Sequence, residues 1–222
     1  MASRGNSCRR WTMMSAMDPP LHERVYEGLK EDYLAGYFTP GRRIDLQDLA
    51  NRHRTSKTPV REAAFIMVGE GLLVHHPDGG FLVPITEPAE QIDLLAWHMQ
   101  LMATTLSSLR ESAIRGAFQQ SLALAVTPSA VSVAKLATGI FTSLVDAAGN
   151  RQASRDVRRI NERLHYSRIV DATHPRTAEK ELAAIASLDV ANLPKAARRR
   201  IETYHLRKIV HQQKIIQMQE TL

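Results

Sequence analysis

Apolar positions recur at helical spacing in three separate runs near the start of the chain. Leu21, Val25, Leu29 and Leu34 place a stripe on a helix that begins after Pro19-Pro20 and stops at Gly36. A Pro40-Gly41 turn and a short extended piece follow. Leu46, Leu49 and Ala50 then line a second helix, with Asp45 as its N-cap and Asp48 in its first turn. A tight polar connection over 54–57 leads to a third helix. Thr58 is its expected cap and Pro59 sits in the first turn, where a missing N–H costs nothing. Val60, Ala64, Ile66, Met67 and Leu72 are the positions expected to face inward. The period then changes: two short β-like runs flank Pro77-Asp78-Gly79-Gly80, a hairpin turn signal. Three helices followed by a hairpin predict a winged helix-turn-helix over 19–86.

After Pro88 the strand signal is almost gone. A long amphipathic helix is predicted over 88–113, with Ile92, Leu95, Met99 and Met102 on one stripe. A second runs over 131–150, closed by Gly149-Asn150. A third runs over 153–174 and stops before Pro175, and two more cover 177–188 and 193–219. The stretch 114–132 is apolar and stays unassigned. The fold class is therefore mainly α: a winged helix-turn-helix followed by an all-helical bundle over 87–222. Residues 1–18 carry Arg4, Arg9 and Arg10 without the apolar run a signal peptide needs, and read as a disordered extension or a start placed too early.

Composition narrows the function. The chain has 222 residues, 44% hydrophobic and 23% charged, which suits a soluble protein with a sizeable core; aromatics at 5% favour aliphatic helix packing. No apolar run of membrane length stands out. Cys8 is the only cysteine, which excludes an internal disulfide and Cys-rich zinc sites and fits a reducing cytosol. No nucleophile–base pair, Gly-rich phosphate loop or paired catalytic carboxylates point to an enzyme. A net charge of +6 is mild, but the excess is local. Between 42 and 61, Arg42, Arg43, Arg52, Arg54, Lys57 and Arg61 face only two acids, Asp45 and Asp48.

The third helix therefore carries Ser56, Lys57, Thr58 and Arg61 at its tip and apolar residues along its body. A recognition helix enters the DNA major groove by this end, where its unpaired N–H groups and positive dipole favour phosphate. Arg61 can pair with a guanine edge, Lys57 supplies charge, and Ser56 and Thr58 suit phosphate oxygens. The competing reading makes Ser56 and Thr58 simple caps and the basic residues a solvated face. One such helix reads few bases, so two related by a two-fold axis on palindromic double-stranded DNA are expected, which means a homodimer.

The order of these features resembles the N-terminal domain of GntR-family transcription regulators. The resemblance rests on Pro40-Gly41-Arg42-Arg43-Ile44, Leu49-Ala50, the run Ser56-Lys57-Thr58-Pro59-Val60-Arg61-Glu62-Ala63, Gly71-Leu72-Leu73 and the wing Gly80-Phe81-Leu82-Val83. It implies DNA contacts from Arg43, Gln47, Arg54, Ser56, Lys57, Thr58, Arg61, His76 and Gly79. Two departures stand out: Gln47 occupies a position that is basic in many members, and Arg54-Thr55 replaces a Gly-Val pair in the turn. His75 and His76 on the wing read either as minor-groove contacts or as surface strand residues.

The helical half resembles, more loosely, the ligand-binding domain of the FadR-type branch. Many relatives there hold a divalent metal with one Asp and three His, completed by a carboxylate effector. Carried over residue by residue, those positions fall on Ala137, Phe141 and Ala178, and His205 is the only matching ligand. An Arg and a Glu common on the first long helix fall on His98 and Met102. No metal or other cofactor is expected. His98, Phe141, His165 and His205 become candidate effector-pocket residues, with His174 a further candidate ligand should a substitute metal site exist. The apolar replacements predict an effector less acidic than the family norm, or none. Arg158, Arg159, Arg198, Arg199 and Arg200 read as solvated helical faces. The resemblance implies a cytoplasmic DNA-binding regulator, a repressor released by a small-molecule effector, with no membrane partner. The alternative is a constitutive dimeric repressor whose helical half only dimerises.

Overall fold

A computed structural model describes residues 20–122, 129–172, 174–187 and 190–221; the extension expected over 1–18, with Cys8, lies outside the described residues. Helices α1 (Leu21–Leu34), α2 (Leu46–Arg52) and α3 (Lys57–Gly69) precede strands β1 (Val74–His75) and β2 (Phe81–Leu82). The strands pair antiparallel, Val74 with Leu82 and His75 with Phe81. The extended piece after Pro40-Gly41 joins them. Arg43 bridges to Leu82, and the Ile44 and Gly41 N–H groups donate to Phe81 and Val83 carbonyls at 2.8 and 2.9 Å. Gly79 and Gly80 turn the hairpin at φ of 84° and 88°, which L-residues rarely adopt.

Local chemistry explains the helix starts. The Asp45 carboxylate accepts from the backbone N–H of Gln47 at 2.7 Å and of Asp48 at 3.3 Å, satisfying two orphan donors of α2. α3 begins earlier than the sequence pattern suggests. Ser56, not Thr58, is its N-cap, in extended geometry and with no side-chain cap bond. Pro59 is tolerated one turn in because the first N–H groups of any helix lack intrahelical acceptors. Val60, Ala63, Ala64 and Met67 form the buried stripe at i, i+3, i+4 and i+7. Ile66 lies off that stripe and is 46% exposed, contrary to expectation, whereas Leu72 is buried just past the helix.

The helical half comprises α4 (Pro88–Ser108), α5 (Glu111–Leu122), α6 (Ala130–Ala147), α7 (Arg151–Arg163), α8 (His165–Asp171), α9 (Pro175–Ala186) and α10 (Leu193–Glu220). Two helices expected to be continuous are broken. The first ends because Ser107 and Ser108 hydroxyls bond back to the carbonyls of Ala103 and Thr105, and Leu109 turns extended. α5 then occupies part of the stretch left unassigned. The buried stripe of α4 runs through Leu95, His98, Met102 and Thr105, so Ile92 and Met99 are only half-buried. The second break is a turn at Leu164, between α7 and α8. α6 is long and apolar enough, by length and composition, to cross a membrane. Yet Val133, Ile140, Phe141 and Leu144 are buried as it packs against α5, α7, α8 and α9. It is the central core helix of this half.

The turn at Leu164 sends Tyr166 into the winged domain, where it joins the core of Val25, Leu29, Tyr33, Phe38 and Leu72. Its ring meets Tyr33 edge-on at 4.8 Å, and its hydroxyl accepts from the Phe38 N–H at 3.1 Å. Tyr33 donates in turn to the Glu162 carbonyl at 3.2 Å. Lys30 bridges Glu70 and Glu162 at 3.2 and 3.0 Å. Arg159, expected on a solvated face, instead donates to the Gly69 carbonyl at 2.8 Å. Tyr166→Phe keeps the ring and strands the buried Phe38 N–H. We expect about 1–3 kcal/mol of lost stability, read as a lower denaturant midpoint at unchanged slope.

Candidate nucleic-acid interface

The N-terminal ends of α2 and α3 and the wing converge on a cleft of about 420 Å³, lined by Arg43, Gln47, Lys57, Arg61 and Gly80 among others. These five residues, from three separate segments, thus share one surface. Arg43 reaches it from the third, bridging segment of the wing and lies along Gly80, where an added Cβ would come within 3.2 Å of Nε. Lys57 and Arg61 lie one turn apart on α3, and Gln47 lies in the first turn of α2. Gln47 donates to Asn51 at 2.9 Å and keeps a second amide N–H available. Among the described residues, the side chains of Arg43, Lys57, Thr58 and Arg61 make no hydrogen bond or ion pair and are exposed. Unpaired basic groups around the first turn of α3, with its orphan N–H groups, form an anion-attracting surface.

The remaining candidates are distributed around this cleft. Ser56 and Thr58 are exposed at the α3 tip. His76 and Gly79 form the wing turn, where the Gly79 N–H donates to the His76 carbonyl at 2.9 Å and His76 Nδ1 accepts from the Asp78 N–H. His75 stacks near Phe65 and Phe81, at 5.6 and 5.5 Å. Arg54 is not in the cleft: it lines a separate depression with Arg24, Arg52 and His53. Its φ of 52° is left-handed, a conformation that carries a steric penalty for any residue but glycine. Arg52 is committed to the buried Asp32, through Nε at 3.0 Å. Gly80, a turn and wing residue in the sequence, joins the cleft because Arg43 packs against it, a contact the sequence does not signal.

In the helical half, His98 and His205 come together and are fully buried, with His98 Nδ1 and His205 Nε2 at 2.7 Å. The Phe141 ring lies 4.8 Å from His98 and 5.3 Å from His205. His165 is buried apart from this pair, 6.0 Å from the Tyr33 ring. Burial first, then the neighbouring His205 and Arg168 charges, push His98 well below the usual imidazole range. Burial likewise pushes His205 down to about 4. Burial and the Arg168 charge push His165 down to about 4, although the Leu34 carbonyl, outside good hydrogen-bond geometry, favours its protonated form. Ala137 is buried and Ala178 packs at the core edge, while His174 is exposed at the start of α9. Among the described residues no group of three His, Cys, Asp or Glu side chains is placed to hold a metal ion. The donor set does not fit the metal that the resemblance implies.

Comparison with known proteins agrees with this architecture. Residues 21–83 match the family described as bacterial regulatory proteins, gntR family. The Nta operon transcriptional regulator of Aminobacter aminovorans is 29% identical over 158 residues, covering 68% of this chain and 75% of that one. The HTH-type transcriptional regulator YdhC of Bacillus subtilis (strain 168) is 25% identical over 174 residues, covering 72% and 75%. A structure from Rhodococcus sp. RHA1, described as a GntR transcriptional regulator, superposes with a TM-score of 0.72 at 16% identity, covering 87% of this chain and 97% of that one. That likeness shows a shared fold.

Two substitutions separate the roles of the basic residues. Arg61→Ala is expected to weaken specific DNA binding by about 1–3 kcal/mol per half-site at fixed salt and leave thermal stability unchanged. Arg54→Gly relieves the left-handed strain, so its melting temperature should rise by a few degrees; gel shifts should show the DNA salt slope reduced by about one contact. A third expectation concerns pH. His165 is neutral when folded but protonates near 6.5 when unfolded, so the unfolded state binds more protons between about 4 and about 6.5. Stability therefore falls as pH drops through that window. His165→Phe should reduce the loss between about pH 7.5 and about pH 5.5 by roughly 1 kcal/mol, measured by urea unfolding.

Proposed function

We propose that this protein, whose residues 21–83 match the gntR family of bacterial regulatory proteins, is a cytoplasmic repressor that binds a palindromic operator as a homodimer and is released by a small-molecule effector. One observation carries the DNA reading: Arg43, Gln47, Lys57 and Arg61 meet in a single cleft at the tip of α3. In it, Arg61 reads a base edge, Lys57 and Arg43 neutralise phosphates, and Ser56, Thr58 and Gln47 fix register by donating to phosphate oxygens. His76 and Gly79 follow the wing into the adjacent minor groove, and Arg54 meets the backbone beyond the cleft.

The homodimer follows from the small footprint of one recognition helix. Apolar surface left open at Trp97 on α4 and at Leu206 and Val210 on α10 supports the helical half as its interface. Effector control is supported by the buried polar residues around Phe141 and by α8, which connects that region to Tyr33 and Phe38 of the winged domain. In this reading the effector domain is of the FadR type but works without a metal, with His98, Phe141 and His205 at its pocket and His165 outside it, beside Tyr33.

Selection of random duplexes on the full chain is the direct test, followed by gel shifts with and without a chelator. Two inverted half-sites, a dimer stoichiometry and an affinity indifferent to chelator are expected. A single unpaired half-site, or operator binding abolished by chelator, would overturn the dimeric or the metal-free part of the reading respectively.

A further inference from the structure

Phe65 departs from the polar character of the open face of α3. This large apolar residue is 51% exposed, on the helix that carries the DNA-facing charges. Lys57, Arg61 and Phe65 are spaced by four residues, and positions so spaced lie above one another on one helical face. The first two line the cleft. The row therefore passes from charge at the helix tip to an apolar ring about two turns further on.

The ring is held in place. It meets Phe81 edge-on, at 5.2 Å and 89°, and lies 5.6 Å from His75 at 55°. Phe81 is buried and follows Gly80, a cleft residue, so the ring sits where α3 meets the wing, beside the cleft. The next position in the row is Gly69, where an added Cβ would meet nothing within 4 Å. Helical side chains lean toward the N-terminus, so a longer residue at 69 would lie over Phe65. Glycine there leaves the ring bare.

A fixed, uncovered aromatic ring beside unpaired basic groups suits a surface that combines negative charge with a small apolar group. The DNA major groove has both: phosphates flank it, and the thymine C5-methyl is an apolar group on its floor. A second copy of this chain would instead bring its own basic cleft against this one, and the two positive surfaces repel. Four residues advance about 6 Å along a helix. That is close to two base steps of about 3.4 Å each. With α3 along the groove, Phe65 therefore falls over a base pair about two steps from the one that Arg61 reads.

Resting on the DNA-binding reading above, we propose that Phe65 is a specificity-determining residue that packs its ring against a thymine C5-methyl in each operator half-site. Arg61 distinguishes guanine by hydrogen bonds, whereas Phe65 distinguishes thymine by its methyl group alone, since a phenyl ring has no donor or acceptor to read the rest of the edge.

Deoxyuridine isolates the methyl, because it keeps every hydrogen-bonding group of thymine. The full chain is titrated at fixed salt with the duplex it selects, and with copies in which symmetry-related thymine pairs are replaced in turn by deoxyuridine. At one pair the affinity is expected to fall about fifteenfold, or about fourfold per half-site, the worth of one buried methyl. This comparison on the parent needs no variant to fold. Phe65→Gln is expected to bind the thymine duplex weakly and to treat thymine and uridine alike. Phe65→Leu stays apolar and should keep part of the discrimination. Ile66→Gln should keep all of it, because Ile66 is 46% exposed but lies about 100° round the helix. A uridine penalty lost in Phe65→Gln and kept in Ile66→Gln upholds the assignment. No penalty at any thymine, or a penalty that survives in Phe65→Gln, overturns it and leaves the DNA-binding reading standing. Failure of the parent to select any duplex overturns both. A Phe65→Gln variant that discriminates like the parent but sediments as a different oligomer places the ring at a protein interface, and also overturns the assignment.

Discussion

Tyr166 belongs to the helical half by sequence and to the winged domain by packing. Its ring fills the space between Tyr33 and Phe38, and its hydroxyl satisfies a buried backbone N–H there. The winged domain is small, and a small domain buries too little of its own surface to be stable with ease. Borrowing a tyrosine from α8 completes its core. The same contact fixes how the two halves sit, because Glu162, Arg159 and Lys30 can meet their partners only when α7 and α8 lie along α1 and the end of α3. The turn at Leu164 sets the direction of α8, and on that helix Tyr166 and Arg168, two residues apart, face opposite sides, one toward the winged-domain core and one toward Asn161.

The DNA-facing surface follows a different physical logic. Its charges are exposed and unpaired, which costs little in water and leaves them available to phosphate. The nearby basic residue that does find an internal partner, Arg52, is taken by the buried Asp32 and so ties α1 to the end of α2. Residues serving the fold and residues serving the ligand are thus distinguishable by whether their charge is already satisfied. The criterion applies in the interior as well: there, among the described residues, Arg168, His98 and His165 are the groups left without full partners.

Much of the winged domain was legible in the sequence because its signals are local. Asp45 capping, the Pro40-Gly41 turn, the Gly79-Gly80 hairpin and the apolar spacing of α1 each depend on a few neighbouring residues, and each appears in the structure. The α3 start was misplaced by two residues because a proline at any of the first helical positions leaves the same trace in the sequence. Likewise Ile66 read as core, since the pattern gives a helical face but not its width.

The sequence by itself determined the fold class, the winged helix and the identity of the residues at the tip of α3, because periodicity, turn chemistry and motif order are written in consecutive residues. Tertiary structure alone decided which of the basic residues share a cleft, with Arg43 and Gly80 brought in and Arg54 left out. It decided too that Arg159 and Tyr166 join the halves, and that Arg168 ends in the interior without a counter-charge. These are pairings between residues far apart in the chain. A single sequence records each partner but not their meeting, and whether a charge is solvated or stranded depends entirely on what the fold places around it.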